Sequence, residues 1–189
     1  IQRVSPGLDL VFSVDTLVEG VHFPSDYSPD YLGWRALAVA VSDLAAMGAS
    51  PVCFTLALTL PDANQGWLKP FSAGLARASK AFGIALAGGD TPRGPLTISI
   101  QVHGTVESGR ALYRSGAKPG DLICVSGTLG AAGAALDYLA APAPSPAQLA
   151  LLSRYHFPQP RLSLGQQLAG CASSAIDISD GLLADLGHI

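Results

Sequence analysis

Five aspartates interrupt or end the apolar stretches of this chain, and any fold it adopts must accommodate them. Asp15 follows Leu10-Val11-Phe12-Ser13-Val14, and Asp43 sits in the most apolar helix-like segment. Asp90 follows Ile84-Ala85-Leu86-Ala87-Gly88-Gly89, and Asp177 and Asp180 close the run Ala175-Ile176-Asp177-Ile178-Ser179-Asp180-Gly181. A carboxylate removed from water is costly unless it is paired, hydrogen-bonded or bound to metal. The chain has 14 acidic residues and 11 Lys and Arg, but few of the basic residues lie near these aspartates. A cation from outside the chain is therefore a candidate partner. Oxygen donors with hydroxyl neighbours suit Mg2+, which keeps several waters and is usually shared with substrate phosphates.

Around Asp90 the sequence reads Gly88-Gly89-Asp90-Thr91-Pro92-Arg93-Gly94. Glycine has no Cβ and lets another group approach the backbone. The stretch reads either as a strand end that offers a carboxylate and bare N–H groups to a small ligand, or as a tight surface turn.

Composition narrows the classes. Apolar residues make up 49% of 189 and charged residues 13%, enough for a substantial core and too few charges for disorder. A net charge of -3 and a pI near 5.7 argue against a nucleic-acid partner, which usually meets a basic face. No apolar run approaches the roughly 20 residues of a membrane span, and no signal peptide is visible. Cys53, Cys124 and Cys171 are far apart and lack metal-type spacing, which reads as buried reduced thiols in a cytoplasmic protein. The chain begins without Met and ends in a helix-like pattern without a stop signal, so it reads as a fragment.

Periodicity gives the element order. Leu8 to Val14 reads as a strand, Gly33 to Gly48 as a helix apolar nearly all round and hence buried, and Pro51 to Leu60 as an inner strand. Trp67, Phe71, Leu75, Ala78 and Phe82 predict an amphipathic helix over 67–82, with Pro70 tolerable in its first turns. Leu96, Ile98, Ile100 and Val102 alternate with polar residues, as in a half-buried strand of an antiparallel or mixed sheet. Residues 107–120 read as a domain boundary. Beyond it the sequence predicts a strand over 121–127, a helix over 128–139, a Pro-rich loop over 140–147, helices near 147–156 and 161–170, and a strand over 174–178. The fold class is α/β, with mixed sheets of the α+β kind. Its two domains are residues 1–110 and an incomplete 111–189.

Several chemistries are excluded. There is no P-loop, no H-E-x-x-H or protein-kinase signature, and the four histidines are too scattered for a zinc site. Arg93, Arg110, Arg114 and Lys118 are candidate phosphate grips or a solvated basic loop. Gly127-Thr128-Leu129-Gly130 suits a phosphate at a helix N-terminus or a plain turn. His22 between Val21 and Phe23 reads first as a packed, hydrogen-bonded histidine.

Five stretches in order then carry a resemblance: Val14 to Phe23, Ser42 to Ala49, Gly88 to Pro95, Arg114 to Asp121 and Ala175 to Leu182. They resemble the thiamine-monophosphate kinase family, in the superfamily of aminoimidazole ribonucleotide synthetase and selenophosphate synthetase. The resemblance implies a two-domain protein that dimerises through its N-terminal domain. It also implies transfer of phosphate from ATP to thiamine monophosphate with several Mg2+ ions. By position, Asp15, Asp43, Asp90, Asp177 and Asp180 would bind metal, with Ser13 and the backbone of Val14. Gly89, Asp90, Arg114 and Ser179 would touch ATP, and His22 the thiamine phosphate. No general base is implied. The alternatives are a sister ATP-dependent synthetase and a non-catalytic Mg-ATP-binding dimer. The family's Gly-Asp-Asp motif would precede Ile1, its further substrate contacts would follow Ile189, and Val14, Pro92 and Ala131 depart from the usual residues.

Overall fold

In the computed structural model, which describes residues 2–189, four strands form one mixed sheet. They are β1 (Leu8–Val18), β2 (Ser50–Thr59), β3 (Ala85–Asp90) and β4 (Thr97–Glu107), in the order β1-β4-β2-β3. β4 pairs antiparallel with both β1 and β2, and β3 runs parallel to β2. The alternation expected of β4 is observed: Ile98, Ile100, Val102 and Val106 are buried on one face. Val11 and Leu17 of β1 and Phe54 and Leu58 of β2 bury the same face.

Two helices cover that face. α1 (Pro29–Ala46) starts with Pro in its first turn, where a missing N–H costs nothing. Leu32, Leu37, Val41 and Leu44 are fully buried, each stabilising by roughly 1.5–3 kcal/mol. α2 (Gln65–Phe82) is capped by the Asn64 side chain, which accepts the Gly66 N–H at 2.8 Å. It ends at Gly83, whose φ of 65° is left-handed and favours glycine. α1 and α2 touch through glycine: a Cβ on Gly74 would overlap the Asp30 carbonyl, and one on Gly33 the Phe71 carbonyl. Arg77 grips Asp30 beside this contact through two hydrogen bonds of 2.7 and 2.8 Å, which hold the Asp30 carboxyl below its usual range.

The other face of the sheet is open. Leu10, Phe12 and Val14 of β1 are exposed there, Phe12 and Val14 each at 63%. The row Thr16–Ser99–Ala57–Asp90 crosses the same face.

Past Glu107 the chain is less regular. α3 (Ala131–Ala134) passes into a 3-10 turn over Ala135–Tyr138, followed by α4 (Pro146–His156), α5 (Leu162–Leu168) and α6 (Leu182–Leu186). α4 begins with a capping box between Ser145 and Gln148. α4 and α5 pack on α1: Arg35 donates to the Tyr155 carbonyl at 3.0 Å, Trp34 donates to the Pro158 carbonyl at 3.1 Å, and Gly165 lies against the Ala45 carbonyl.

Three sequence expectations fail in this half. The strands over 121–127 and 174–178 are absent, and the helix over 128–139 shrinks to one short turn before the 3-10 segment. A strand needs a partner for its N–H and C=O groups. Among the described residues 121–127 has none beside it, and Leu122 is 90% exposed. Residues 174–178 find one, the hydrogen bond from Ala175 N–H to the Tyr113 carbonyl at 3.0 Å. The cysteines are free, but Cys124 and Cys171 are exposed and Cys53 is half-buried, against the expectation of buried thiols. Among the described residues no helix is long and apolar enough to cross a membrane.

Candidate metal and nucleotide site

Three of the five aspartates meet where β1, α1 and the segment after α5 come together. Asp15 lies on the helix-covered face of β1, in register with Ile100. Ser13, two residues earlier on the same face, donates from Oγ to Asp43 Oδ2 at 2.5 Å. This supplies the partner that a carboxylate on a buried helix requires. Asp177 arrives from the irregular segment beyond α5.

Their electrostatics show the crowding. Burial pushes the Asp15 carboxyl up from 3.8 to about 6, and the nearby Asp43 and Asp177 carboxylates push it the same way. Burial also raises Asp177, Asp43 adds to the rise, and the Ser42 hydroxyl opposes it. Neither ion pair of the described residues, Arg77–Asp30 or Arg110–Glu107, involves this trio. The donor set is all oxygen and net negative, which fits a hard divalent cation. Among the described residues no three His, Cys, Asp or Glu side chains close on a single point. Water would therefore complete the shell, as Mg2+ prefers.

Beside the trio lies a cavity of about 500 Å³ lined by Ser13, Asp43, Arg114, Asp177 and His188, among others. Arg114 is thus the candidate phosphate grip placed at this acidic cluster. Arg110 is engaged elsewhere, donating to Glu107 at 3.0 Å and to the Ala169 carbonyl at 2.7 Å. Arg93 donates to the Pro61 carbonyl at 3.2 Å. Lys118 is exposed, with its backbone N–H bonded to Asp121. The Gly127–Gly130 turn precedes a helix of only four residues, too short to present much of a dipole.

Asp90 stands apart. It ends β3, at the sheet edge opposite β1, and its row faces away from the helices. It is exposed, and its carboxylate accepts the Thr91 N–H at 2.9 Å. Gly89 is demanded by packing alone, because a Cβ there would overlap the Leu56 carbonyl. Val14 turns its side chain to the open face, so only its backbone is left to act on the covered side. His22 follows β1. Its Nδ1 accepts the Val18 N–H at 3.0 Å, which leaves Nε2 as the ring donor. The Tyr155 hydroxyl donates to the His22 carbonyl at 3.3 Å.

Ser179 and Asp180 are exposed on the loop before α6. What holds that loop is Asp185, a residue the sequence reading passed over. It is 3% exposed, and its Oδ2 accepts the N–H groups of Ser179, Asp180 and Gly181 at 2.9, 3.1 and 3.1 Å. An acid in the first turn of the helix after Gly181 was the available signal. Ser42, which opens the Ser42–Ala49 stretch, and His188, which lies in no motif, are further neighbours of the cluster to which the sequence assigned no role.

The fold and this acidic cavity place the chain in a known class. Residues 1–106 match the family described as AIR synthase related protein, N-terminal domain, and the chain belongs to that family. Within it, the chain is 51% identical over 187 residues to thiamine-monophosphate kinase of Escherichia coli K12, covering 95% of this chain and 56% of that protein. It is 35% identical over 192 residues to thiamine-monophosphate kinase of Bacillus subtilis 168, covering 97% and 59%. Among solved structures, thiamine-monophosphate kinase from Stenotrophomonas maltophilia K279a superposes with a TM-score of 0.93 at 46% identity, over 98% of this chain and 61% of that one. AaThiL complexed with AMPPCP and TMP gives 0.93 at 35% identity, with the same coverage. The chain thus spans a little over half the length of these relatives.

The Asp15 carboxyl binds its proton more tightly in the folded chain than in the unfolded one. Its contribution to stability is therefore complete below about pH 4 and is lost as pH rises through about 6. In chelator, the stability of wild type relative to Asp15→Asn is expected to fall by about 1–2 kcal/mol across that window, the shift being discounted for a part-exposed group. Mg2+ is expected to flatten the fall. Thermal melts of both proteins from pH 4 to 7 measure it, and parallel curves in chelator would remove the crowded-carboxylate account.

Proposed function

We propose that this chain carries the ATP and metal half of a thiamine-monophosphate kinase, which moves the γ-phosphate of ATP to thiamine monophosphate and forms thiamine diphosphate. One observation carries this reading: Asp15, Asp43 and Asp177 converge with no ion pair to any of them among the described residues, only His22 partly offsetting the charge around Asp15, in a chain 51% identical to such a kinase. The ATP analogue and TMP named with AaThiL support the same pair of substrates.

The proposed metal set is Ser13 and the backbone of Val14 with Asp15, Asp43, Asp90, Asp177 and Asp180. Bound Mg2+ would neutralise phosphate charge. Arg114 would grip a phosphate oxygen from the wall of the cavity, with Gly89, Asp90 and Ser179 as further ATP contacts. His22 would offer its Nε2–H to the phosphate of thiamine monophosphate. The attacking group is a phosphate oxygen that is already anionic near pH 7, so the chain need not provide a general base. Its residues align the two phosphates for in-line transfer and offset their repulsion.

The domain division at about residue 110 belongs to the same reading, and the end of the family match at residue 106 supports it. So does a homodimer. The open face carries the exposed side chains Leu10, Phe12 and Val14 along β1, an apolar strip of the kind that marks an interface, and Asp90 shares that face. A cytoplasmic setting completes the reading.

Three outcomes are expected. The full-length protein with ATP and Mg2+ should form thiamine diphosphate from thiamine monophosphate and none from thiamine, read by chromatography. No product despite Mg2+-dependent ATP binding would shift the reading to a sister acceptor or a non-catalytic role. Asp90→Asn should lower turnover about 100-fold or more while leaving the melting temperature unchanged, since Asp90 is exposed. Near-normal turnover would take Asp90 out of the site. Phe12→Asp should shift the species seen by light scattering from dimer to monomer, and an unaltered mass would move the interface elsewhere.

A further inference from the structure

We propose that Asp185 is the positioning residue of the Ser179-Asp180-Gly181 loop. By taking all three amide N–H groups inward, it makes the loop a supplier of oxygen to a divalent cation and withholds it as an amide cradle for phosphate. The identity of the nucleotide rests on the kinase reading, but the role of Asp185 does not.

Three successive amides turned to one side form the kind of concavity that binds anions. In this chain an internal carboxylate already fills it. Asp185 is the buried charged side chain of the described residues, at 3% exposure, and one oxygen, Oδ2, accepts from all three amides. Gly181 lets the third amide turn inward, with φ of 111°, a value that favours glycine. With the amides engaged, the loop directs its remaining polar groups outward, and the Ser179 and Asp180 residues are exposed. The loop continues from Asp177, at the acidic seam, so its outward oxygens extend that seam. An anion approaching the loop would meet carboxylates, whereas a cation would meet ligands that a second carboxylate holds in place. Loss of such an outer partner typically weakens metal binding about 10–100-fold.

The test uses the full-length protein, with Asp185→Ala and Asp185→Asn. Amide exchange over residues 177–186 reads the loop itself. Alanine should speed exchange at 179–181 about tenfold or more, and asparagine, which keeps one acceptor oxygen, should hold it within about threefold. Mn2+-induced broadening of residues 177–181, measured without nucleotide, should need about tenfold more Mn2+ in the alanine variant. Inorganic phosphate should broaden or shift the freed amides in that variant only. Fast exchange with unchanged Mn2+ dependence and no phosphate response would overturn the proposal. If the alanine variant does not fold, asparagine decides: weakened Mn2+ binding with exchange protection intact would also overturn it. Absence of kinase activity in the wild type would fail the kinase reading and leave these readouts standing.

Discussion

Three carboxylates stay crowded at one seam because α1 cannot move away from them. Its four fully buried aliphatic side chains contribute several kcal/mol in total. Each unit of raised carboxylate pKa costs about 1.4 kcal/mol against ionisation. Packing therefore exceeds repulsion, and the helix holds Asp43 against Ser13 without a cation. The sheet beneath does the same for Asp15, whose face is fixed by the burial of Val11 and Leu17 in the same strand. The remaining strain is electrostatic, and a divalent ion is suited to relieve it. Stability is supplied by one set of residues and the crowded negative charge by another.

The second half of the chain is fastened to this frame by an aromatic group. Tyr31 stacks on His156 with ring centres 4.3 Å apart, and Arg35 lies 3.7 Å above the Tyr155 ring. The Tyr27 hydroxyl is 2.7 Å from His156 Nδ1. Burial lowers the proton affinity of His156, and Arg35 adds to that, so the ring stays neutral and Nδ1 is free to accept from Tyr27. Tyr155 then reaches the carbonyl of His22. The loop proposed to meet the acceptor is thus tied to α4, which lies on α1. Its position relative to the carboxylates is set by the same packing.

Much of the first half was legible in the sequence because each of its patterns found a partner. β4 alternates and is paired on both sides, and α1 is apolar all round and is covered on most sides. Residues 121–127 and 174–178 have strand-like composition but no ladder to join among the described residues, and composition alone does not supply one. The aspartates were legible as chemistry but not as geometry. Interrupting an apolar run marks Asp15, Asp43, Asp90 and Asp177 alike, yet only the register shows that Asp90 lies on the other face, at the other edge. Asp185 was missed for a related reason. Its partners are backbone amides, which leave no trace in residue identity, and it sits in a helix-like pattern that explains itself without them.

The register also separates two roles that the sequence runs together. Along β1, side chains alternate between faces. Ser13 and Asp15 point to the carboxylate seam, while Phe12, Val14 and Thr16 point to the open face. An apolar side chain between Ser13 and Asp15 is therefore no interruption of a metal site. It belongs to a different surface of the same strand, so the side chain of Val14 can vary without disturbing the carboxylates. Asp90 is the exception, a carboxylate on the face that also carries Leu10, Phe12 and Val14. Its position links the proposed contact between copies to the proposed chemistry. A second copy covering this face would change the surroundings of Asp90 directly and those of Asp15, on the opposite face of β1, only through the sheet.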